Sequence, residues 1–124
     1  MTFEQLKQYF LAKPQVTLEF PFGNDVYVFK VKNKMFGLIG WKDEAMNVNL
    51  KCDPDESVAL RDIFSNITPG YHMNKKHWIT IVIEADSSEQ SVPQGEIERL
   101  IDNSFTLVVS KMTKKDRQSI LVHC

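Results

Sequence analysis

Between Val16 and Cys52 the chain repeats one pattern four times, a short apolar run followed by a few turn formers. Val16, Leu18 and Phe20 alternate with Thr17 and Glu19, the period of a strand with one buried face. Pro21-Phe22-Gly23-Asn24-Asp25 turns the chain. Val26 to Val31 is apolar on both faces apart from Lys30. Lys32-Asn33-Lys34 is a tight turn in which Asn33 tolerates a positive φ. Met35 to Trp41 forms a third strand, and Gly37 and Gly40 mark a bend or a close backbone approach. After Lys42-Asp43-Glu44, Met46, Val48 and Leu50 alternate with Asn47, Asn49 and Lys51, a strand with one wet face. Connections this short cannot hold the dozen or more residues of a parallel crossover, so the stretch is an antiparallel meander.

Helices flank it. Thr2 to Ala12 carries Phe3, Leu6 and Phe10 on one stripe with Tyr9 beside it. Thr2 and Gln5 have capping-box spacing, and Lys13-Pro14 ends the helix. Asp53-Pro54-Asp55-Glu56 opens a second helix, with Asp53 as cap, Pro54 at its first position and Glu56 completing the box. Ala59, Leu60, Ile63 and Phe64 form its expected inner stripe, and Ser65-Asn66 ends it. Thr68-Pro69-Gly70 reads as a turn, Tyr71 to Met73 as a short extended piece, and Asn74-Lys75-Lys76 as a hairpin tip. His77 to Glu84 reads as a strand with Ile79, Ile81 and Ile83 on one face. Asp86 to Ser91 is a polar loop. Val92-Pro93 starts a long helix with Ile97, Leu100, Ile101, Phe105 and Val108 inward, which Asn103-Ser104 is expected to divide. Thr113 caps a last short helix, and Ile120, Leu121 and Val122 pack the tail back. Helices not interleaved strand by strand mean an α+β fold, an antiparallel sheet with helices mainly on one face in the order α-β(3–4)-α-β(2)-α.

A length of 124 residues predicts one domain over 1–124 with its own core. A net charge of −1 gives no overall attraction for polyanions. The charge is uneven: Lys30, Lys32, Lys34, Lys42 and Lys51 face only Asp43 and Glu44 within 26–52, whereas 79–110 is strongly acidic. No apolar run approaches a membrane span. No secretory signal opens the chain, and Cys52 and Cys124 show no disulfide pattern, so the expectation is a cytoplasmic protein, monomeric and off the membrane.

The chemistry-bearing residues crowd into Thr68 to Trp78, which holds His72, His77, Tyr71, Trp78, Lys75 and Lys76. A zinc site there lacks further Cys or acidic ligands nearby, and His123-Cys124 would join only if the tail folded back. Cys52 has only Lys51 as a positive neighbour. No nucleophile elbow, phosphate loop or dinucleotide fingerprint occurs. The expectation is therefore no enzyme, no catalytic residue, no metal and no cofactor. The basic tips Lys32-Asn33-Lys34 and Asn74-Lys75-Lys76 can position the chain on phosphates without reading sequence, and neither carries an arginine for bidentate guanine recognition.

Phe20-Pro21-Phe22-Gly23-Asn24-Asp25, Val28-Phe29-Lys30-Val31, Lys34-Met35-Phe36, Asn49-Leu50-Lys51-Cys52-Asp53-Pro54, Pro69 to Trp78 and Leu100-Ile101-Asp102-Asn103-Ser104-Phe105 together resemble the MmcQ/YjbR family of small bacterial proteins. The resemblance spans about residues 2–112. Phe105 stands where members often carry tyrosine, and Lys32-Asn33 where a glycine-containing turn is commoner. The resemblance implies a fold like CyaY and the type III secretion chaperones, in which either the strand at 16–20 or the fourth strand is short or absent. It also implies a DNA-binding label resting on a double-wing shape, which does not fix function.

Three readings follow. The first is a DNA-binding module, weak and salt-sensitive, using Lys30, Lys32, Lys34, Lys75, Lys76 and His77, which requires the two basic hairpins to lie together. The second is a protein-interaction or chaperone-like adaptor for a protein partner, which requires an exposed apolar patch. The third is a small-ligand pocket around Tyr71, His72, His77 and Trp78.

Overall fold

The structure, a computed structural model, describes residues 1–70, 74–84 and 92–121. The expected extended piece at Tyr71 to Met73, the loop at 86–91, Val122 and the His123-Cys124 tail lie outside the described residues.

The meander forms as its short turns demand. Helix α1 (Phe3–Leu11) leads into β1 (Val16–Glu19), β2 (Tyr27–Val31), β3 (Lys34–Lys42) and β4 (Ala45–Lys51). The α1 capping box is complete: Thr2 Oγ1 accepts from Gln5 N at 3.2 Å, and Gln5 Oε1 accepts from Thr2 N at 2.9 Å. The β2–β3 and β3–β4 turns each place two residues at positive φ, Lys32 (49°) and Asn33 (65°), then Asp43 (52°) and Glu44 (68°). Two-residue turns of that hand match the right-handed twist of the strands they join. Both β1 and β4 are present, four and seven residues long. The resemblance implied that one would be short or missing. β1 is the short one, and β4 is full length because its alternating apolar residues bury one face.

Helix α2 (Pro54–Ile63), β5 (Ile67–Pro69), β6 (Trp78–Ile83), α3 (Gln94–Ser110) and α4 (Lys114–Leu121) complete the chain. The strands form one six-stranded antiparallel sheet in the order β1-β2-β3-β4-β6-β5. The architecture is α+β. One face carries Phe29, Val31, Ile39, Val48, Leu50, Ile79 and Ile81, packed with Leu6 and Phe10 of α1, Leu60 of α2, Ile97, Leu100 and Ile101 of α3, and Ile120 of α4. Phe10 stacks flat on Phe29, with ring centroids 4.3 Å apart. Gly37 lies directly beneath, where a Cβ would stand 2.2 Å from Phe10 Cε1. The other face holds a separate cluster of Val28, Leu38 and Trp78 with Val26 and Met35.

Four local expectations are corrected. Thr68 and Pro69 belong to edge strand β5 rather than a turn, which suits proline because an edge strand can spare one donor. Helix α3 runs unbroken past Asn103-Ser104, because Ser104 is buried and its hydroxyl bonds to the sheet. On α2 only Leu60 and Ser57 are buried, while Ala59 and Ile63 point outward and Ile63 is 67% exposed. The helix packs chiefly on edge strand β5, so one narrow stripe suffices. Glu56 does not close a capping box. Asp53 Oδ2 alone accepts from Asp55 N and Glu56 N, and Glu56 Oε1 instead lies 3.2 Å from Arg99 Nη1, an ion pair without hydrogen-bond alignment.

Candidate nucleic-acid interface

Strand pairing decides which basic residues meet. Gly37 pairs with Leu50, Leu50 with Ile79, and Lys51 with Trp78. The start of β3, the end of β4 and the start of β6 therefore share one end of the sheet. β3 and β6 flank β4, so their axes lie about 10 Å apart. Both basic turns emerge there. The β6 turn is pinned: Asn74 O accepts from His77 N and Trp78 N, both at 3.0 Å, Asn74 Oδ1 accepts from Lys76 N at 3.0 Å, and His77 O accepts from Cys52 N at 2.8 Å.

A cleft of about 520 Å³ opens at this end. Lys32 and Lys34 from the β2–β3 turn, Lys51 from β4 and Lys111 after α3 all line it, beside Val108 and Met112. Thr113 and Asp116 complete the wall, and Thr113 Oγ1 caps α4 by accepting from Asp116 N at 3.2 Å. The Lys51 ammonium is held below its usual pKa, first by burial and then by repulsion from Lys111 and Lys34. Asp116 is the carboxylate among the lining residues, against four ammonium groups. Like charges this crowded favour an anion between them.

Ser104 sets the position of Lys51. Phe36 and Lys51 would be the next ladder pair after Gly37 and Leu50, but the pairing stops there. The Ser104 hydroxyl stands in for the missing bond. It accepts from Lys51 N at 2.9 Å and donates to Phe36 O at 2.5 Å. A helix residue thus completes a sheet bond and ties α3 to the strand end that carries the lysine.

The other expected residues fall as follows. Lys30 does not line the cleft and pairs with Glu19 at 3.3 Å. Lys75 and Lys76 lie in the neighbouring turn with His77, which is half-buried. Trp78 is only 6% exposed and packs with Val28 and Leu38, so it offers no free ring for stacking. Tyr71 and His72 lie outside the described residues. Lys111 was not foreseen. It follows a 17-residue helix whose span of about 25 Å carries it back to the strand ends, and no local pattern announces that arrival. Lys51 was visible only as one charge in the basic stretch and as the positive neighbour of Cys52.

Two other polar groups are structural. Asp102 Oδ1 accepts from Tyr9 OH at 2.8 Å and from Lys13 Nζ at 2.5 Å, clasping α1 to α3. Burial first, then the bond to Asp102, pushes the Tyr9 phenol up to about 12. The Lys13 ammonium also lies over Phe105, 5.5 Å from the ring centre, so the apolar ring still has a partner. The buried Cys52 thiol is pushed up to about 12, by burial first and then by Glu56 and Asp53, which keeps it protonated. Among the described residues no three His, Cys, Asp or Glu side chains group as metal ligands, and no helix is long and apolar enough to cross a membrane.

The YjbR family model matches residues 11–107, from the end of α1 into α3. The chain belongs to the YjbR family. It is 38% identical over 117 residues to the uncharacterized protein YbdF of Escherichia coli O157:H7, covering 94% of this chain and 92% of that one. It is 27% identical over 121 residues to the uncharacterized protein YjbR of Escherichia coli K12, covering 98% of each. A crystal structure of a Deinococcus radiodurans protein superposes with a TM-score of 0.84 at 32% identity, over 96% of this chain and 87% of that one. A Pseudomonas syringae structure gives 0.71 at 28%, over 86% of this chain and 98% of that one. Lys111 and α4 lie beyond the matched segment, so one wall of the cleft is built outside it.

Proposed function

We propose that this YjbR-family chain is a binding module, not an enzyme, that holds DNA weakly through its phosphate backbone at the lysine-lined end of the sheet. The observation that carries the reading is the convergence of Lys32, Lys34, Lys51 and Lys111 on one cleft beside the Lys75-Lys76 turn. Lysines act on phosphate as point charges. With no arginine in the set, base identity is not read. Affinity should fall with salt at a log–log slope of about −0.9 per phosphate neutralised on a duplex, about −4 for four contacts.

Fluorescence anisotropy with labelled double- and single-stranded DNA, at low and high salt, tests this. The triple substitution Lys34→Ala, Lys51→Ala, Lys111→Ala should abolish low-salt binding, while Lys7→Ala on α1 should leave it unchanged. Binding that survives the triple variant, or that ignores salt, refutes the reading.

The exposed rings of Phe20, Phe22 and Trp41 favour the adaptor reading less strongly. Exposed apolar side chains are a normal feature of protein surfaces, whereas Lys51 sits in the cleft against the repulsion of Lys111 and Lys34, which an anion would relieve.

A further inference from the structure

The open face of the sheet holds a second and larger concavity, of about 820 Å³. It lies around Gly40, six residues or about 20 Å along β3 from Lys34, and its wall at Asn49 stands two residues along β4 from Lys51 of the lysine cleft. Its size falls in the range of roughly 300–1,000 Å³ typical of small-molecule sites.

Gly40 is the clue. A glycine inside a strand costs about 0.5–1 kcal/mol relative to alanine and normally has a local reason. Gly37 has one in the Phe10 ring, and Gly70 has one in Trp78, whose Cβ would stand 2.7 Å from an added Cβ. Gly40 has none. Its φ is not in the left-handed region, and a Cβ built on it meets nothing within 4 Å. No close contact accounts for the missing side chain, and its absence deepens the concavity that Gly40 lines.

The walls define a chemistry. Val26 and Leu38 give the floor an apolar, sheet-flat surface. Phe22, 63% exposed, sits at the rim on a loop shaped by two turns, Gly23 N to Phe20 O and Val26 N to Gly23 O. Gly23 at φ 111° allows that bend. Asn47, the cross-strand neighbour of Gly40, is half-buried, and its carboxamide makes no hydrogen bond among the described residues. Asn49 accepts from Thr80 Oγ1 at 2.6 Å, which leaves its two N–H donors. Asp25 and Lys42 at the rim balance in charge.

We propose that this concavity binds a neutral planar heteroaromatic molecule of the nucleobase class. Its face would lie on the sheet floor against Phe22, and its amide-like edge would pair with Asn47. A carboxamide presents a donor and an acceptor side by side, the complement of a base edge, and an exposed ring on a flat floor supplies stacking. Charge balance at the rim selects the base over its phosphate. The site is separate from the lysine cleft and does not depend on DNA binding there.

The test is titration of the isotope-labelled full chain with adenosine, guanosine and uridine, and with a short single-stranded oligonucleotide, followed by amide and carboxamide NMR shifts. The expected result is saturable, millimolar-range shifts confined to Gly40, Asn47 and Asn49 for at least one nucleoside. Gly40→Leu, which fills the space, should weaken binding at least about tenfold while keeping the wild-type spectrum elsewhere. Asn47→Leu should do the same should Gly40→Leu not fold. Saturation by the nucleoside marks a free small molecule as sufficient, and saturation by the oligonucleotide alone marks the base of a strand as the occupant. Either supports a base-binding site. No saturable shift with any probe, shifts confined to the lysine cleft, or unchanged affinity in the folded variants overturns the proposal. The triple lysine variant should bind the nucleoside normally, so failure here and failure of the DNA reading are distinguishable.

Discussion

Ser104→Ala removes a hydroxyl that no surface argument would notice. Ser104 is fully buried, and its oxygen holds both Lys51 N and Phe36 O. The alanine leaves a backbone donor and a backbone acceptor without their partner at the end of the β3–β4 ladder. A buried unsatisfied group costs about 1–3 kcal/mol. The two strands are already spread to admit the hydroxyl, and the alanine methyl still occupies the gap, so they cannot simply close on each other. The expected loss is about 3 kcal/mol, a large share of the roughly 5–15 kcal/mol that holds a domain together. The comparison is Ser110→Ala on the same helix, an exposed serine whose hydroxyl donates to Leu107 O at 2.8 Å. Its loss should stay within about 0.5 kcal/mol. Urea unfolding of both variants reads the difference as a shift in midpoint at unchanged slope, and amide exchange at Lys51 should quicken in Ser104→Ala alone. Equal midpoints for the two variants would refute the argument that the hydroxyl completes the sheet.

Two further expectations use the same structure. Gly37→Ala should destabilise by about 1–3 kcal/mol or more, because the new methyl meets the Phe10 ring. Gly40→Ala should be neutral or stabilising by about 0.5–1 kcal/mol, and thermal unfolding that ranks the two alike would contradict the assignment of their roles. Stability should also fall with pH from 9.0 towards about 12. The native Cys52 thiol and Tyr9 phenol keep protons that the unfolded chain loses from 9.0 and 10.0 upward, so the unfolded state binds fewer protons there. Lys51 acts with the opposite sign, since the native state releases its proton first. Tyr9→Phe isolates one contribution: its urea midpoint should decline less steeply over this range than that of the wild type, and an unchanged decline would remove the phenol from the account.

Much of the scaffold was legible residue by residue because its causes are local. Strand alternation at 45–51, the Thr2–Gln5 box and Asp53-Pro54 are interactions among neighbours in the chain, and each appears in the structure at its expected place, whereas the alternation begun at Val16 stops at Glu19 and leaves Phe20 exposed. The misjudged features all depended on what packs from a distance. Ile63 fits a helical stripe but points outward, and it is exposed. Ser104 looks like a helix breaker, yet its hydroxyl finds two backbone groups more than fifty residues away. Glycines 37 and 40 are alike in sequence, and only the Phe10 ring distinguishes a forced close approach from an open cavity floor.

The candidate site divides the same way. The basic turn at Lys32 to Lys34 could be found from its own residues, because turn geometry and charge are both local. Its conversion into a cleft required Lys51 on a paired strand and Lys111 at the end of a helix, and so was decided by strand register and helix length. Sequence by itself determined most of the elements, the Thr2 and Asp53 caps, the two tight turns of the meander and its antiparallel order. Tertiary structure alone decided which charges share a cleft and which face of the sheet stays open, because both depend on contacts between residues far apart in the chain.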